Sequence, residues 1–187
     1  MKDTNRLVRY LCLALAGASL VACTNSNQSA DTEASVFLTA EMKEGVADVD
    51  VSVPFDVVIA DLTITSQAKS PTAVLSAQQD VYLNEWVTTC TRTDGGKVTS
   101  PIWKNFLPVY VPAGGTATLK NYRIFPSNYF REAPLNQLFP ENGGFDLETG
   151  NRNIRQHLKI EIFGKTVAGR KISVVIDLNL NFFYVTP

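Results

Sequence analysis

The strongest pattern in the sequence is an alternation of apolar and polar residues near the C-terminus. In the segment IRQHLKIEIFGK, one parity is apolar: Ile154, Leu158, Ile160 and Ile162. After GKTVAGRK the pattern restarts with a second apolar set: Ile172, Val174, Ile176, Leu178 and Leu180. A period of two places apolar side chains on one face of a β-strand, whereas a helix repeats every 3.6 residues. The two runs therefore predict two half-buried strands joined as a hairpin.

Earlier segments repeat this pattern and predict an all-β domain. The segments VDVSVPFDVVIADLTITS, DVYLNEWVTTCTRT and FLPVYVPAGGTATLKNYRIF are rich in β-branched and aromatic residues and are bounded by turn residues. Pro54 indicates a strand break or edge, and the apolar parity changes near Ala60 and Asp61, which predicts a bulge. We expect an antiparallel β-sandwich of about seven strands without an amphipathic helix of ten residues.

One long irregular segment interrupts the strands. Residues 126–153 contain three prolines and three glycines, and only 133–138 fit a short helix. A loop of this length in a compact domain is usually functional or a packed elaboration. We therefore expect an elaborated loop or short helical insertion at 126–153.

The strand order, with a long crossover before the C-terminal hairpin, resembles that of immunoglobulin-like and fibronectin type III-like domains. Trp86, four residues before Cys90, is similar to the core tryptophan strand of such folds. The resemblance covers 36–187, concerns architecture alone and implies no functional residues. The cysteine pair of antibody domains is missing.

Residues 1–22 have the three parts of a secretory signal. The start is positively charged, because three basic residues accompany one acidic residue: Lys2, Arg6, Arg9 and Asp3. An uncharged apolar run of about 11 residues follows, whereas a bilayer-spanning helix needs roughly 20. The run is therefore too short to predict a transmembrane anchor.

The apolar run ends in Leu20-Val21-Ala22-Cys23. This motif resembles the lipobox of bacterial lipoproteins, Leu-(Ala/Ser/Val)-(Ala/Gly)-Cys, at all four positions. The resemblance implies that the Cys23 thiol receives a diacylglycerol, that 1–22 are removed, and that the new amine is acylated. Two or three acyl chains would hold the protein on a membrane, since one chain binds only marginally. An ordinary signal with an incidental cysteine is the alternative.

The polar segment after the cysteine predicts a tether. Residues 24–35 contain no aromatic residue and no Val, Ile or Leu, so they cannot bury enough surface to fold. We expect Cys23 and the rest of 23–35 to link the membrane to the domain at 36–187. Residue 24 is Thr rather than Asp, which by resemblance to enterobacterial sorting favours the outer membrane, facing the periplasm or the cell surface.

Charge and cysteine content limit the function classes. The net charge of the chain is −1, and removal of 1–22 takes away three basic residues and one acidic residue, which leaves −3. This balance gives no reason to expect nucleic acid. Cys90 is the single cysteine after Cys23, so no disulfide forms within the domain, and we expect it to be a small buried residue.

No sequence motif supports catalysis. The single histidine, His157, falls on the polar face of its strand between Arg155 and Lys159, where a surface role is expected. The chain contains no Gly-x-Ser-x-Gly, His-Glu-x-x-His or Walker motif. We expect a non-enzymatic protein that has no cofactor.

One polar loop suggests calcium. The segment FDLETGNRN places four oxygen-bearing side chains within eight residues: Asp146, Glu148, Asn151 and Asn153. Alternating oxygen ligands around a glycine are typical of calcium loops, although the spacing departs from that of the EF-hand. The alternative is a polar loop with turn-forming residues.

Aromatic and arginine residues mark a candidate partner-binding surface. Tyr129, Phe130 and Arg131 follow the Pro126 break, and Tyr, Phe and Arg are enriched at interface cores. Phe183 falls at an outward-facing position of the last strand. At the edge of a sheet, an apolar residue there could help a strand of a partner protein to pair with this strand, or it could be covered by another loop of the chain. Ordinary core packing of the aromatics is the alternative, with Phe130 under the loop.

Together these observations predict a membrane-anchored envelope lipoprotein. We expect it to act as a non-enzymatic binding or assembly subunit of a protein complex. The alternative function is a carbohydrate-binding or small-ligand-binding module that uses the 126–153 loop.

Overall fold

The protein structure is a computed structural model, which describes residues 33–42 and 48–185. The predicted signal, Cys23 and most of the predicted tether lie outside these residues. The described ranges contain nine strands: β1 (Val36–Met42), β2 (Asp48–Asp50), β3 (Val57–Ala68), β4 (Val81–Arg92), β5 (Trp103–Asn105), β6 (Val109–Val111), β7 (Thr116–Phe125), β8 (Asn153–Thr166) and β9 (Lys171–Phe183). Within them, no helix is long and apolar enough to cross a membrane.

The strands form two sheets, which confirms the predicted all-β sandwich. The smaller sheet has the order β1-β3-β7, and the larger has the order β2-β9-β8-β4-β5, with β6 also paired to β4. All pairs are antiparallel except β2 with β9. The described ranges contain nine strands rather than about seven, because β1 and the three-residue β5 lie outside the segments from which strands were predicted.

The two sheets draw alternately on the chain. β1, β3 and β7 form one sheet, and β4, β8 and β9 form the centre of the other. Trp86 of β4 is 1% exposed. Its ring lies 4.2 Å from that of Tyr122, and its Nε1 donates to the Leu107 carbonyl at 3.0 Å.

The C-terminal hairpin is confirmed. Ile160 of β8 lies opposite Ile176 of β9, and both side chains are buried between the sheets. Lys159 and Asp177 lie opposite one another on the outer face. The polar parity of both strands therefore forms the outer face of the six-stranded sheet.

The change of parity predicted in β3 is present. Ile59 and Leu62 are both fully buried although they are three positions apart, and the intervening Ala60 is exposed. The register of β3 with β7 shifts between Val57 and Val58 rather than at Ala60 and Asp61, where the bulge was predicted. β4 has an unpredicted counterpart, since its register with β8 shifts between Leu83 and Glu85. Such bulges bend a strand and redirect its side chains.

The 126–153 segment is a packed elaboration. It contains three 3₁₀ turns, Ser127–Arg131, Leu135–Leu138 and Pro140–Asn142, the second of which replaces the short helix predicted at 133–138. Leu135 and Leu138 are buried. The loop therefore adds side chains to the core instead of projecting into solvent.

Candidate functional site

The predicted partner-binding residues differ in their exposure to solvent. Phe130 is 2% exposed, and its ring stacks 6.0 Å from Phe125, so the prediction that it contacts a partner is wrong and the packing alternative holds. Phe183 lies opposite Asp50 of β2, so the chain's own strand occupies the edge where a partner strand was expected. Arg131 is exposed and pairs with Glu141 at 2.7 Å.

Tyr129 remains accessible and belongs to a larger surface. It is half-buried, and its hydroxyl makes a long hydrogen bond of 3.4 Å to the Ile102 carbonyl. Ile102 is 61% exposed and directly precedes Trp103 of β5. The Arg123 guanidinium of β7 lies 5.4 Å from the centre of the Trp103 ring. β5 and β7, which are edge strands of different sheets, therefore meet along one side of the sandwich.

Asp56 holds this side of the sandwich together. Its carboxylate accepts a hydrogen bond from Arg123 at 3.0 Å and one from the Ser127 backbone N–H at 2.7 Å. These two hydrogen bonds lower the pKa of Asp56, the Ser127 bond contributing most. The preceding residue, Phe55, is 75% exposed. We name this surface the edge patch and define it by five residues: Phe55, Ile102, Trp103, Arg123 and Tyr129.

Three of the four predicted calcium ligands have side chains that are hydrogen-bonded to other groups. Asp146 is fully buried and accepts a hydrogen bond from Arg92 at 2.7 Å, and Glu148 accepts from the Lys97 and Val98 backbone N–H groups at 2.8 and 2.9 Å. The Asn153 amide donates to Asn181 at 2.7 Å. Across residues 33–42 and 48–185, no three His, Cys, Asp or Glu side chains form a group that could hold a metal.

The physical reason for this outcome is the buried guanidinium of Arg92. Its side chain is 1% exposed and also pairs with Asp94 at 2.7 Å, so it supplies the positive charge that a calcium ion would have supplied. Burial acts to raise the pKa of Asp146, but hydrogen bonds from Arg92 and Thr149 outweigh it and hold that pKa below its ordinary value. No local pattern of residues indicates that an arginine at the end of β4 would reach this loop.

Cys90 is structural. It lies on the inner face of β4 and is 7% exposed. Burial raises the pKa of its thiol to about 12, so the reactive thiolate is scarce at neutral pH.

A second surface, which the sequence analysis did not identify, lies on the outer face of the six-stranded sheet. A cleft of about 430 Å³ opens there, lined by Asn84, Glu85, Phe163, Gly164, Lys165, Lys171, Ile172 and Ser173. Beside it, the rings of Tyr82 and Tyr110 lie 5.2 Å apart and are 53% and 48% exposed. We name this site the outer-face cleft. Two aromatic residues in the sequence indicate this site, because each occupies a position where the alternation of its strand would place a polar side chain. Phe163 lies two positions after Glu161, and Tyr110 lies between two valines.

The 126–153 loop contributes a third depression. It has a volume of about 300 Å³ and is lined by Leu138, Pro140, Gly143, Gly144, Phe145, Arg152 and Tyr184. Phe145 is 40% exposed, and the Tyr184 ring packs edge-on against Phe139 at 5.3 Å. We name it the loop cleft.

Comparison with known proteins identifies no relative. No protein-family model matches the chain, and no curated protein matches it. The functional assignment therefore rests on the sequence motifs and on the geometry of these surfaces.

Proposed function

We propose that this chain is a lipid-anchored protein of the bacterial cell envelope and that its sandwich domain is a non-enzymatic binding or assembly subunit of a protein complex. The anchor is Cys23, which ends a lipobox-like motif and precedes a polar tether. Placement in the outer membrane follows from Thr24 and belongs to the same proposal. The observation that carries the binding role is the edge patch.

The composition of the edge patch supports a protein partner. Trp, Tyr and Arg are the residues most enriched among those that dominate binding energy, and here Trp103, Tyr129 and Arg123 lie together. Ile102 and Phe55, which directly precede Trp103 and Asp56 in the chain, are exposed apolar residues. β5 and β7 are edge strands, and no further strand of the described chain pairs with their outer edges. A cluster of exposed apolar residues at such an edge is typical of an interaction site.

The rigidity of the patch also supports binding. Arg123 is held by the Asp56 carboxylate and by the Trp103 ring, and Ser127 fixes the start of the turn that carries Tyr129. Side chains that are ordered before binding lose less conformational entropy in the complex. The patch is therefore suited to a specific partner.

The anchor is tested by replacing the acylated thiol. Cys23→Ser should move the protein from the membrane fraction to the soluble fraction or leave an uncleaved precursor, because serine cannot form the thioether. Normal processing of this variant together with retention on membranes through detergent-free washes would show that the anchor is not at Cys23.

The partner surface is tested by truncating its aromatic residues. Trp103→Ala and Tyr129→Ala in the full chain should each weaken capture of the partner about 30-fold, since hot-spot truncation costs about 2 kcal/mol or more. The matched control is Phe163→Ala, an exposed aromatic on a different surface, which should leave capture unchanged. Equal capture by all variants, with melting temperatures near wild type, would contradict the proposal.

A ligand-binding module is the second candidate function, and the loop cleft favours it. Its Phe145 and Tyr184 rings can pack against a sugar, and the exposed Arg152 can donate hydrogen bonds. Titration of the full chain with maltotriose should then perturb the NMR signals of Phe145 and Tyr184, and Phe145→Ala should remove the effect. Unchanged signals at both residues would count against this function.

A further inference from the structure

The outer-face cleft combines an aromatic platform with two lysines, Lys165 and Lys171, and one carboxylate, that of Glu85. In the register of β4, β8 and β9, Tyr82 lies opposite Lys165, and Lys165 lies opposite Lys171. Directly opposite residues have Cβ atoms about 4.5–5.5 Å apart, and like charges in such pairs are unfavourable. Neither lysine forms an ion pair with any residue in 33–42 or 48–185.

The adjacent row of the sheet supplies the platform and the hydrogen-bonding groups. Glu85 lies opposite Phe163, and Phe163 lies opposite Ser173. The Phe163 ring is 37% exposed on the polar parity of β8, between the outward-facing Glu161 and Lys165. An exposed ring flanked by carboxylate, hydroxyl and ammonium groups presents both an apolar surface and polar partners.

The β4 bulge lies beside this cleft. Gly164 of β8 lies opposite Leu83, and a Cβ atom there would clash with the Tyr82 carbonyl oxygen, so the two backbones approach closely. The register shift between Leu83 and Glu85 places Asn84 at the cleft. A volume of about 430 Å³ lies within the range of small-ligand sites.

We propose that the outer-face cleft binds a saccharide that carries an anionic group. The hydrophobic C–H face of a sugar ring packs on Phe163, as rings stack on exposed aromatic side chains elsewhere. Asn84, Glu85 and Ser173 exchange hydrogen bonds with hydroxyl groups, and Lys165 and Lys171 bind the carboxylate or phosphate. The tyrosine pair, Tyr82 and Tyr110, extends the platform beyond the lysines.

This chemistry distinguishes the outer-face cleft from the other surfaces. The edge patch has a single arginine that is already paired with Asp56, and the loop cleft has one cation, Arg152. The outer-face cleft has two lysines against one carboxylate, Glu85, so the lysine pair is the feature that selects an anion. The site lies apart from the edge patch, so its failure leaves the proposed protein-binding function unaffected.

Calorimetric titration of the full-length protein in detergent tests the proposal with three probes: trigalacturonate, glucose 6-phosphate and neutral maltotriose. We expect trigalacturonate or glucose 6-phosphate to bind, and we expect the affinity for maltotriose to be at least about 5-fold lower. Comparison of the two anionic probes shows whether the site recognises a carboxylate or a phosphate. Lys171→Gln should weaken the anionic probe about 2–5-fold at low salt, and added salt should reduce this difference. Phe163→Ala should weaken it about 10-fold.

Two control variants keep the result specific. Lys97→Gln removes an exposed lysine beyond the other end of β4, and Phe55→Ala removes an exposed aromatic of the edge patch, so both should bind the probes as wild type does. The proposal is overturned if neither anionic probe binds, if maltotriose binds equally well and is weakened by Phe163→Ala to the same extent, or if all four variants behave alike. It is also overturned if Phe163→Ala abolishes capture of a protein partner while the binding of the probes is unchanged.

Discussion

At the scale of single residues, the Arg92 side chain determines how two long loops pack. Its guanidinium bonds to Asp94, which follows β4, and to Asp146, which belongs to the 126–153 segment. Asp94 also accepts a hydrogen bond from the Arg155 backbone N–H at 2.7 Å at the start of β8. One buried cation thus fixes three parts of the chain at the end of the larger sheet.

Loss of the Arg92 charge should therefore be costly. Arg92→Met leaves Asp94 and Asp146 buried without their partner, and we expect a loss of about 3–5 kcal/mol in the free energy of unfolding. Urea denaturation measures this difference. The matched control is Arg131→Met, which removes an exposed pair with Glu141 and should cost less than about 1 kcal/mol. Similar losses in both variants would show that the Arg92 cluster is not a special element of stability.

The same cluster predicts a loss of stability in acid. The pKa of Asp146 lies below its ordinary value of 3.8, because the Arg92 and Thr149 hydrogen bonds outweigh burial. A carboxyl group of this kind stabilises the fold fully above its unfolded pKa, and this contribution is lost as the pH falls through the lower folded pKa.

When the pH is lowered from about 5 to about 2, we expect the urea concentration at the unfolding midpoint to decrease more for the wild type than for Asp146→Asn. The variant should be the less stable protein at pH 5, since it has already lost the ionised carboxylate. Parallel pH profiles for the two proteins would contradict the assignment of this acid sensitivity to Asp146.

At the scale of elements, the parity of β8 decides which side chains face the core. Ile160 is fully buried and Lys159 lies on the outer face. Ile160→Asp should unfold the domain, because an unpaired buried carboxylate costs several kcal/mol against a total stability of about 5–15 kcal/mol. Lys159→Asp should fold with a circular dichroism spectrum like that of the wild type. Equal tolerance of both changes would mean that the strand faces are reversed.

The long strands could be predicted from the sequence because their alternation is local. β8 and β9 show a pattern in which residues two apart share an environment, and burial follows that pattern in the structure. The extent and the partner of β2 could not be predicted, since its three residues are held by parallel pairing with β9, more than 130 positions away, as in Asp48 opposite Asn181. Pairing over such a distance leaves no periodic signal in a segment of that length.

The candidate sites depend on the same distinction. Tyr129 could be selected from composition, but its neighbours Trp103 and Arg123 come from strands of different sheets that meet only in the folded chain. Phe130 has the same composition signal as Tyr129, yet it is buried against Phe125 and Phe182. Composition can identify residues suited to an interface, whereas the packing of the 3₁₀ turn decides which of them remain exposed.

At the scale of the whole molecule, the fold separates two kinds of surface. The edge patch lies where β5 and β7 meet, and the outer-face cleft lies over β4, β8 and β9. On our proposal, a lipid at Cys23 holds this domain at the membrane, the edge patch binds a protein partner, and the outer face remains available for a saccharide. The two sites can then be occupied together.

The central claim, that the edge patch binds a protein partner at the membrane, is tested most directly by photo-crosslinking. A benzoylphenylalanine in place of Ile102, which is 61% exposed, should form one discrete adduct with a partner in intact membranes. The same group at Val74, which is 93% exposed, serves as the control and should form none. Adding Trp103→Ala should abolish the adduct at position 102. Absence of an adduct at 102, or equal adducts at 102 and 74, would contradict the account.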